Sequence, residues 1–192
     1  MKKFLASALM LLAASTTTFA QNAVGSFSLQ PKAGISIADM TDIQGTTSRI
    51  GFVGGLEGEY QASDIFSLSL GVNYSQEGFK MKNSDNKIKL DYINVPILAN
   101  VYLTKGLAVK VGVQPGFNVG NSVTVDGNTT SSSKKDYDGI KSMALSIPVG
   151  LSYEISNVVL DARYNWGVTK AFDGLDSKNS VFQVTIGYKF QL

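Results

Sequence analysis

The chain has 192 residues, with 17 basic and 15 acidic side chains and neither cysteine nor histidine. The absence of histidine and cysteine rules out a Ser-His-Asp or Cys-His nucleophile system and argues against a transition-metal site, so we expect no cofactor and no catalytic centre. Setting aside residues 1–20, which hold two lysines and no acid, leaves 15 basic and 15 acidic residues. This balance gives no argument for nucleic acid as a partner.

Residues 1–20 have the features of a secretory signal peptide. Lys2 and Lys3 form a positive start, the stretch 4–14 is apolar, and Thr18-Phe19-Ala20 has the small-x-small form of a cleavage site. The apolar stretch is shorter than the ~18 residues that a membrane-spanning helix needs. We therefore predict export of the protein and one domain over residues 21–192.

The rest of the chain alternates between apolar and small polar residues, which predicts β-strands and no helix. The clearest example is IFSLSLGVNYSQ at 65–76, where every second residue is large and apolar and most of the others are serine, glycine or asparagine. Eight strands are predicted in chain order, at 27–38, 49–60, 65–80, 88–103, 107–119, 142–155, 158–170 and 179–190.

The connections between these strands alternate in length. They are tight after the second, fourth and sixth strands and longer after the others, and the longest spans 120–141. This alternation is typical of bacterial outer-membrane barrels, which have short periplasmic turns and longer external loops. We predict an all-β fold, an eight-stranded antiparallel up-and-down transmembrane β-barrel.

One face of the predicted strands carries no charge, and we expect it to contact outer-membrane lipid. Representative lipid-facing residues are Phe66, Leu68, Leu70, Val72, Val109, Val111, Leu145, Ile147, Leu160, Trp166, Val184 and Ile186. Aromatic residues near strand ends are typical of the girdles at membrane interfaces. The candidates are Tyr60, Phe66, Tyr74, Phe79, Tyr188 and Phe190.

The opposite face combines glycine, serine and amide residues with four positive and four negative charges. These charges are Lys32, Glu57, Glu59, Lys110, Glu154, Asp161, Arg163 and Lys189. The interior of an eight-stranded barrel is just wide enough to be filled by side chains, and buried charges must be paired. We therefore expect a compact ion-pair network in the lumen, and we prefer this network to acid–base catalysis by the acid pairs.

Two alternatives bear on these assignments. A soluble lipocalin-like barrel would reverse the two faces, but its water-facing side should be rich in lysine and glutamate rather than glycine and serine. In the fourth strand, Pro96 removes one ladder donor, and a bulge near it could shift the phase of that strand.

Five segments resemble the small outer-membrane β-barrel family of Bacteroidota known as PorT-like. They are YSQEG (74–78), YINVP (92–96), GVQPGF (112–117), ARYNWGVT (162–169) and GYKF (187–190). The resemblance covers essentially all of residues 21–192 and implies an outer-membrane barrel. The family's namesake resembles an accessory to protein secretion, but most relatives have no assigned activity, so the resemblance implies architecture rather than a role.

These observations predict a small non-enzymatic protein of the bacterial outer membrane that acts as an anchor with a plugged lumen. Binding residues often lie on loops held by a rigid scaffold. We expect contact with a protein partner through the longest external loop, at Asp126, Lys134, Lys135 and Tyr137. Two alternatives stay open, which are a narrow solute or ion pore and an accessory factor in envelope assembly or protein secretion.

Overall fold

A computed structural model describes residues 23–41, 46–82, 86–125, 128–132, 141–170 and 177–192. The predicted signal peptide at 1–20 lies outside the described residues, and so do Asp126, Lys134, Lys135 and Tyr137. Within the described ranges no helix is long and apolar enough to span a membrane.

The regular elements of the described residues are eleven β-strands. In chain order they are β1 (Phe27–Met40), β2 (Thr46–Ser63), β3 (Phe66–Met81), β4 (Lys87–Asn94), β5 (Ile97–Thr104), β6 (Leu107–Val125), β7 (Asn128–Ser132), β8 (Met143–Ile155), β9 (Val158–Lys170), β10 (Lys178–Tyr188) and β11 (Phe190–Gln191).

The strands pair with antiparallel neighbours all the way round a closed ring. The order is β1, β2, β3, β4, β6, β8, β9 and β10, and β10 pairs with β1 from Gly187↔Lys32 to Asn179↔Met40. Strand β5 continues β4 between β3 and β6, and β11 continues β10 along β1. The described residues thus form a ring of eight strands, which confirms the predicted fold class. Closure leaves no open sheet edge between the eight described members of this ring.

The three tight connections lie at one end of the barrel, which we call the turn end. They are centred on Asp64-Ile65, Lys105-Gly106 and Ser156-Asn157, at the predicted positions. The first strand starts and the last strand finishes at this end, where the Leu192 amide donates to the Phe27 carbonyl at 2.9 Å. We call the opposite end, which carries the longer connections, the loop end.

The fourth strand of the ring is interrupted at Val95-Pro96 and yet keeps its phase. Tyr92 and Pro96 are buried, while Ile93 and Ile97 face outward. The Val95 amide donates to the Pro115 carbonyl at 2.8 Å, so β6 still holds the chain at the break. The irregularity in this ladder lies opposite Asp91 and Tyr92, where β6 contains an extra residue. A phase shift at Pro96 therefore does not occur.

Two details of the sequence prediction are wrong. Residues 120–125 and 128–132, assigned to a loop, form an extension of β6 and the strand β7 that pairs with it. Phe79, assigned to the outer aromatic girdle, is buried and packs with Met40, Leu90 and Tyr92 near the loop end. Phe79 has the same parity as the buried Ser75 and Glu77, so strand alternation itself places it inside.

Candidate functional site: the barrel lumen

The lumen contains all eight charges predicted to face inward, and they form two clusters. The central cluster is Lys32, Glu57, Lys110, Asp161 and Arg163, and the turn-end cluster is Glu59, Glu154 and Lys189. Except for Glu154, which keeps some exposure, their side chains are almost completely inaccessible. The strands that carry these residues are spread around the ring, so closure of the sheet brings the charges together.

Glu57 is the anion at the middle of the central cluster, where it accepts from three cations. Its Oε1 accepts from Lys110 Nζ at 2.9 Å, and its Oε2 accepts from Arg163 Nη2 at 2.8 Å and from Lys32 Nζ. Each cation comes from a different strand, β1, β6 or β9. A charge taken out of water must be paired and hydrogen-bonded to be tolerated, and Glu57 meets that requirement from three sides.

Asp161 and Arg163 lie two residues apart on β9 and therefore point into the lumen together. Arg163 donates through Nε and Nη2 to the two carboxylate oxygens of Asp161 at 2.7 and 2.8 Å, a bidentate arrangement. Lys110 Nζ lies 3.2 Å from Asp161 Oδ2, which links this pair to Glu57 through a shared lysine. The cluster has three cations and two anions.

A glycine makes room for the arginine. Gly150 pairs with Arg163 across the β8–β9 ladder, and a Cβ at Gly150 would lie 2.7 Å from Arg163 Cγ and 2.5 Å from the Ala162 carbonyl oxygen. No side chain other than hydrogen fits there without moving the backbone. At this position of the inner face, glycine is therefore required by the neighbouring Arg163 side chain.

The turn-end cluster has the opposite excess of charge. Lys189 Nζ contacts Glu154 Oε2 at 2.6 Å and Glu59 Oε2 at 3.1 Å. Glu59 Oε1 also accepts from Ser67 Oγ at 2.5 Å and from the Tyr102 hydroxyl. One cation and two anions here balance the surplus cation of the central cluster, so the eight charges together are neutral.

Towards the loop end lies a polar group that the sequence reasoning missed. We call it the amide cluster: Glu77, Asn94, Gln114, Asn165 and Asn179. Glu77 is 5% exposed and accepts from Asn94 Nδ2 at 3.1 Å and from Asn179 Nδ2 at 3.0 Å. Among the ion pairs formed by described residues, none includes Glu77.

Strand parity would have found Glu77, because it continues the inward series of β3 that includes Ser67, Ser69 and Ser75. The same rule applies to Arg49 on β2, which is buried and donates from Nη1 to the backbone carbonyl of Glu77. Both residues are missing from the predicted inward-facing charges only because the alternation was not followed to the loop end of their strands.

The amide cluster surrounds a cavity of about 20 Å³ inside the barrel. Its lining includes all five members of the cluster and also Tyr92, Gly116 and Thr169. A volume of this size holds about one water molecule. Within the described ranges, no group of three or more His, Cys, Asp and Glu side chains is placed to hold a metal ion.

The outer wall is apolar. Nine of the twelve residues predicted to face lipid are 38–61% exposed, and Trp166 is the most exposed of them. The other three, Phe66, Val109 and Leu145, are half-buried. At the turn end Phe27 packs on Tyr60, and Tyr188 packs on Phe190, with ring centroids 4.7 and 4.8 Å apart.

A closed antiparallel ring with an apolar outside and a charged, paired inside defines the class of transmembrane β-barrels. The model of the family described as "Outer membrane protein beta-barrel domain" matches residues 19–173, and the chain belongs to this family. It is therefore an outer-membrane β-barrel protein. The narrower PorT-like family stays a prediction, and no curated protein sequence matches the chain.

Solved structures similar to this chain are also small outer-membrane barrels. Ail, the attachment invasion locus protein of Yersinia pestis, is 19% identical with a TM-score of 0.52, over 87% of this chain and 99% of that one. Neisserial surface protein A is 20% identical with a TM-score of 0.57, and the match covers 85% of this chain and 97% of that one. Ail has also been solved in complex with the heparin analogue sucrose octasulfate, and that structure has a TM-score of 0.55 at 18% identity, over 87% and 99%. At these identities the likeness supports the fold alone.

Proposed function

We propose that the protein is a non-enzymatic outer-membrane anchor whose lumen is closed by ion pairs and whose loop end contacts an external partner. The observation that carries this proposal is the central cluster. Glu57 forms ion pairs with cationic side chains of three separate strands, and the Arg163–Asp161 pair lies beside it. Ion-paired side chains therefore occupy the middle of the lumen. A continuous water path through the lumen would have to pass between side chains of the central cluster that are already ion-paired with one another.

The outer wall supports insertion of the barrel in lipid. A membrane-spanning β-strand needs about 9–11 residues. Strands β2, β3 and β6 have 18, 16 and 19 residues, so they are long enough to extend past the bilayer. On β6 the extension towards the loop end pairs with β4 on one side and with β7 on the other. We take this end as external and the turn end as periplasmic, following the length of the connections.

The lumen part of the proposal is tested by recording from the purified protein in planar bilayers. We expect no large stable conductance from the unmodified barrel. The charge-neutral double variant Lys32→Ala with Glu57→Ala should open conducting events, because it removes two central side chains together. Trp166→Ala, on the outer wall, is the matched control and should stay silent. A large stable conductance of the unmodified protein would favour the narrow-pore alternative.

The loop part is tested by placing a photo-crosslinking residue in intact cells at Tyr137, in the predicted external loop, or, as the control, at Asp64 in a tight connection of the turn end. A discrete adduct at position 137 and none at 64 would support a surface partner. An adduct at position 64 alone would favour a periplasmic role in envelope assembly or secretion. Absence of an adduct at both positions would contradict the interaction role.

A further inference from the structure

Glu77 differs from the carboxylates of the two charged clusters because its side-chain hydrogen-bond partners among the described residues are neutral. It is buried, and its oxygens accept single amide hydrogen bonds from Asn94 and Asn179. Each carboxylate oxygen has more than one lone-pair direction, so these two bonds leave acceptor capacity over. An ionised carboxylate without a charged partner is costly to bury. We propose that the amide cluster binds one monovalent metal cation, for which Na⁺ is the probe.

A second observation points independently to a ligand at this place. Asn165 is 2% exposed, and neither its Oδ1 nor its Nδ2 has a hydrogen-bond partner in the part of the chain that the structure describes. Buried side-chain amides are normally hydrogen-bonded, so a buried amide without any hydrogen bond indicates a place where a ligand can bind. Asn165 lines the same cavity as Glu77. Rotation of its amide about the last torsion can present the oxygen to the cavity, since the two ends of an amide have nearly the same shape.

The size and the charge of the site restrict what it can hold. The cavity of about 20 Å³ has room for one ion or one water molecule and not for an organic ligand. Its carboxylate and amide oxygens are the hard ligands preferred by alkali and alkaline-earth cations. One carboxylate neutralises one positive charge, whereas a divalent ion would keep an unbalanced charge in a poorly solvated interior. These features together favour a monovalent ion.

The surroundings of the cavity strengthen this preference. Tyr92 contributes both to the cavity lining and to the apolar group formed with Met40, Phe79 and Leu90. An apolar neighbour keeps the local dielectric low, and in such a medium the attraction between a cation and a carboxylate is much stronger than in water. The proposed ion goes beyond the anchor role, because its binding needs no surface partner and no pore.

The experiment measures thermal unfolding of the full barrel in a zwitterionic detergent. It compares the unfolding midpoint in sodium chloride with that in choline chloride at equal ionic strength. A ligand that binds only the folded state raises the midpoint, and we expect a rise of roughly 2–8 °C in sodium. Glu77→Gln should abolish this difference, because it keeps the shape and removes the charge. Thr185→Val, another buried lumen site but away from the cavity, is the control and should keep it.

A direct measurement on the unmodified protein covers the case in which Glu77→Gln does not fold. Broadening of the ²³Na resonance by the protein–detergent complex, reversed by excess lithium or potassium, would support the site. Asn165→Asp supplies a second carboxylate and should move the preference from Na⁺ to Ca²⁺. Equal midpoints of the unmodified protein in the two salts, or a sodium effect that survives Glu77→Gln, would overturn the proposal.

Discussion

Glu57 and Glu77 are both buried glutamates of the same lumen, and their surroundings are opposite in kind. Glu57 is contacted by Lys32, Lys110 and Arg163, while Glu77 is contacted by the neutral amides of Asn94 and Asn179. Both carboxylates accept hydrogen bonds, but those to Glu57 come from three cations and the two from amides leave Glu77 with unused acceptor capacity. Among the described residues only Glu57 has cations beside it, and this difference separates the proposed plug from the proposed ion site.

The contrast also shows what each region tolerates. In the central cluster every charge contacts an opposite charge, so loss of one member leaves its partners uncompensated. In the amide cluster the partners are neutral, so loss of the charge leaves only amides that can reorient. We therefore expect mutations of the same chemical type to have very different effects in the two regions.

The largest effect is expected for Glu57→Gln. It leaves three buried cations facing Asp161 alone, and removal of one member of a buried ion pair costs about 3–5 kcal/mol. Urea unfolding in lipid vesicles, followed by Trp166 fluorescence, measures this loss. Glu77→Gln without sodium is the matched comparison, and we expect its change to stay under about 1 kcal/mol, since the amide replaces a carboxylate that has no cation partner among the described residues. Similar losses for both variants would show that the cations around Glu57 do not set the two glutamates apart.

A smaller effect is expected for Gly150→Ala in the central region. The added methyl group would collide with Arg163 Cγ and with the Ala162 carbonyl, and overpacking of this kind costs about 1–3 kcal/mol. Gly58→Ala is the control on the outer wall, where the nearest atoms to a new Cβ are 3.8 and 4.0 Å away. The same unfolding assay should separate the two alanines, and equal stability would show that Arg163 can move without cost.

The smallest effect is expected for Gly116→Ala beside the amide cluster. A Cβ there would lie 2.3 Å from Asn94 Oδ1, the end of a mobile side chain, so Asn94 should turn and release Glu77. Loss of one hydrogen bond costs about 1 kcal/mol. Gly120→Ala, with its nearest contact at 3.5 Å, is the control. The sharper readout is the sodium-dependent midpoint, which Gly116→Ala should weaken and Gly120→Ala should leave intact.

The fold was predictable because strand alternation is a local rule with a period of two. Where the rule was followed consistently it also located single residues, such as Leu68, Leu70 and Val111 on the outside of the wall. Where it was not followed to the strand end, Phe79 was placed on the wrong side, and Glu77 and Arg49 were left out of the inner set. The strand β7 was not predicted for a different reason. Its sequence, NTTSS, has no alternation of apolar and polar residues.

The sequence by itself determined that the chain forms a ring of strands with an uncharged outside and a charged inside, because facing is decided residue by residue along each strand. Only the tertiary structure decided which charges meet. Glu57 and Arg163 are 106 residues apart and touch because closure and register bring β2 and β9 to the same depth of the lumen. Among the described residues the same closure left Glu77 with amides and Asn165 without a hydrogen-bond partner, since contacts across a lumen depend on the whole ring and not on any one strand.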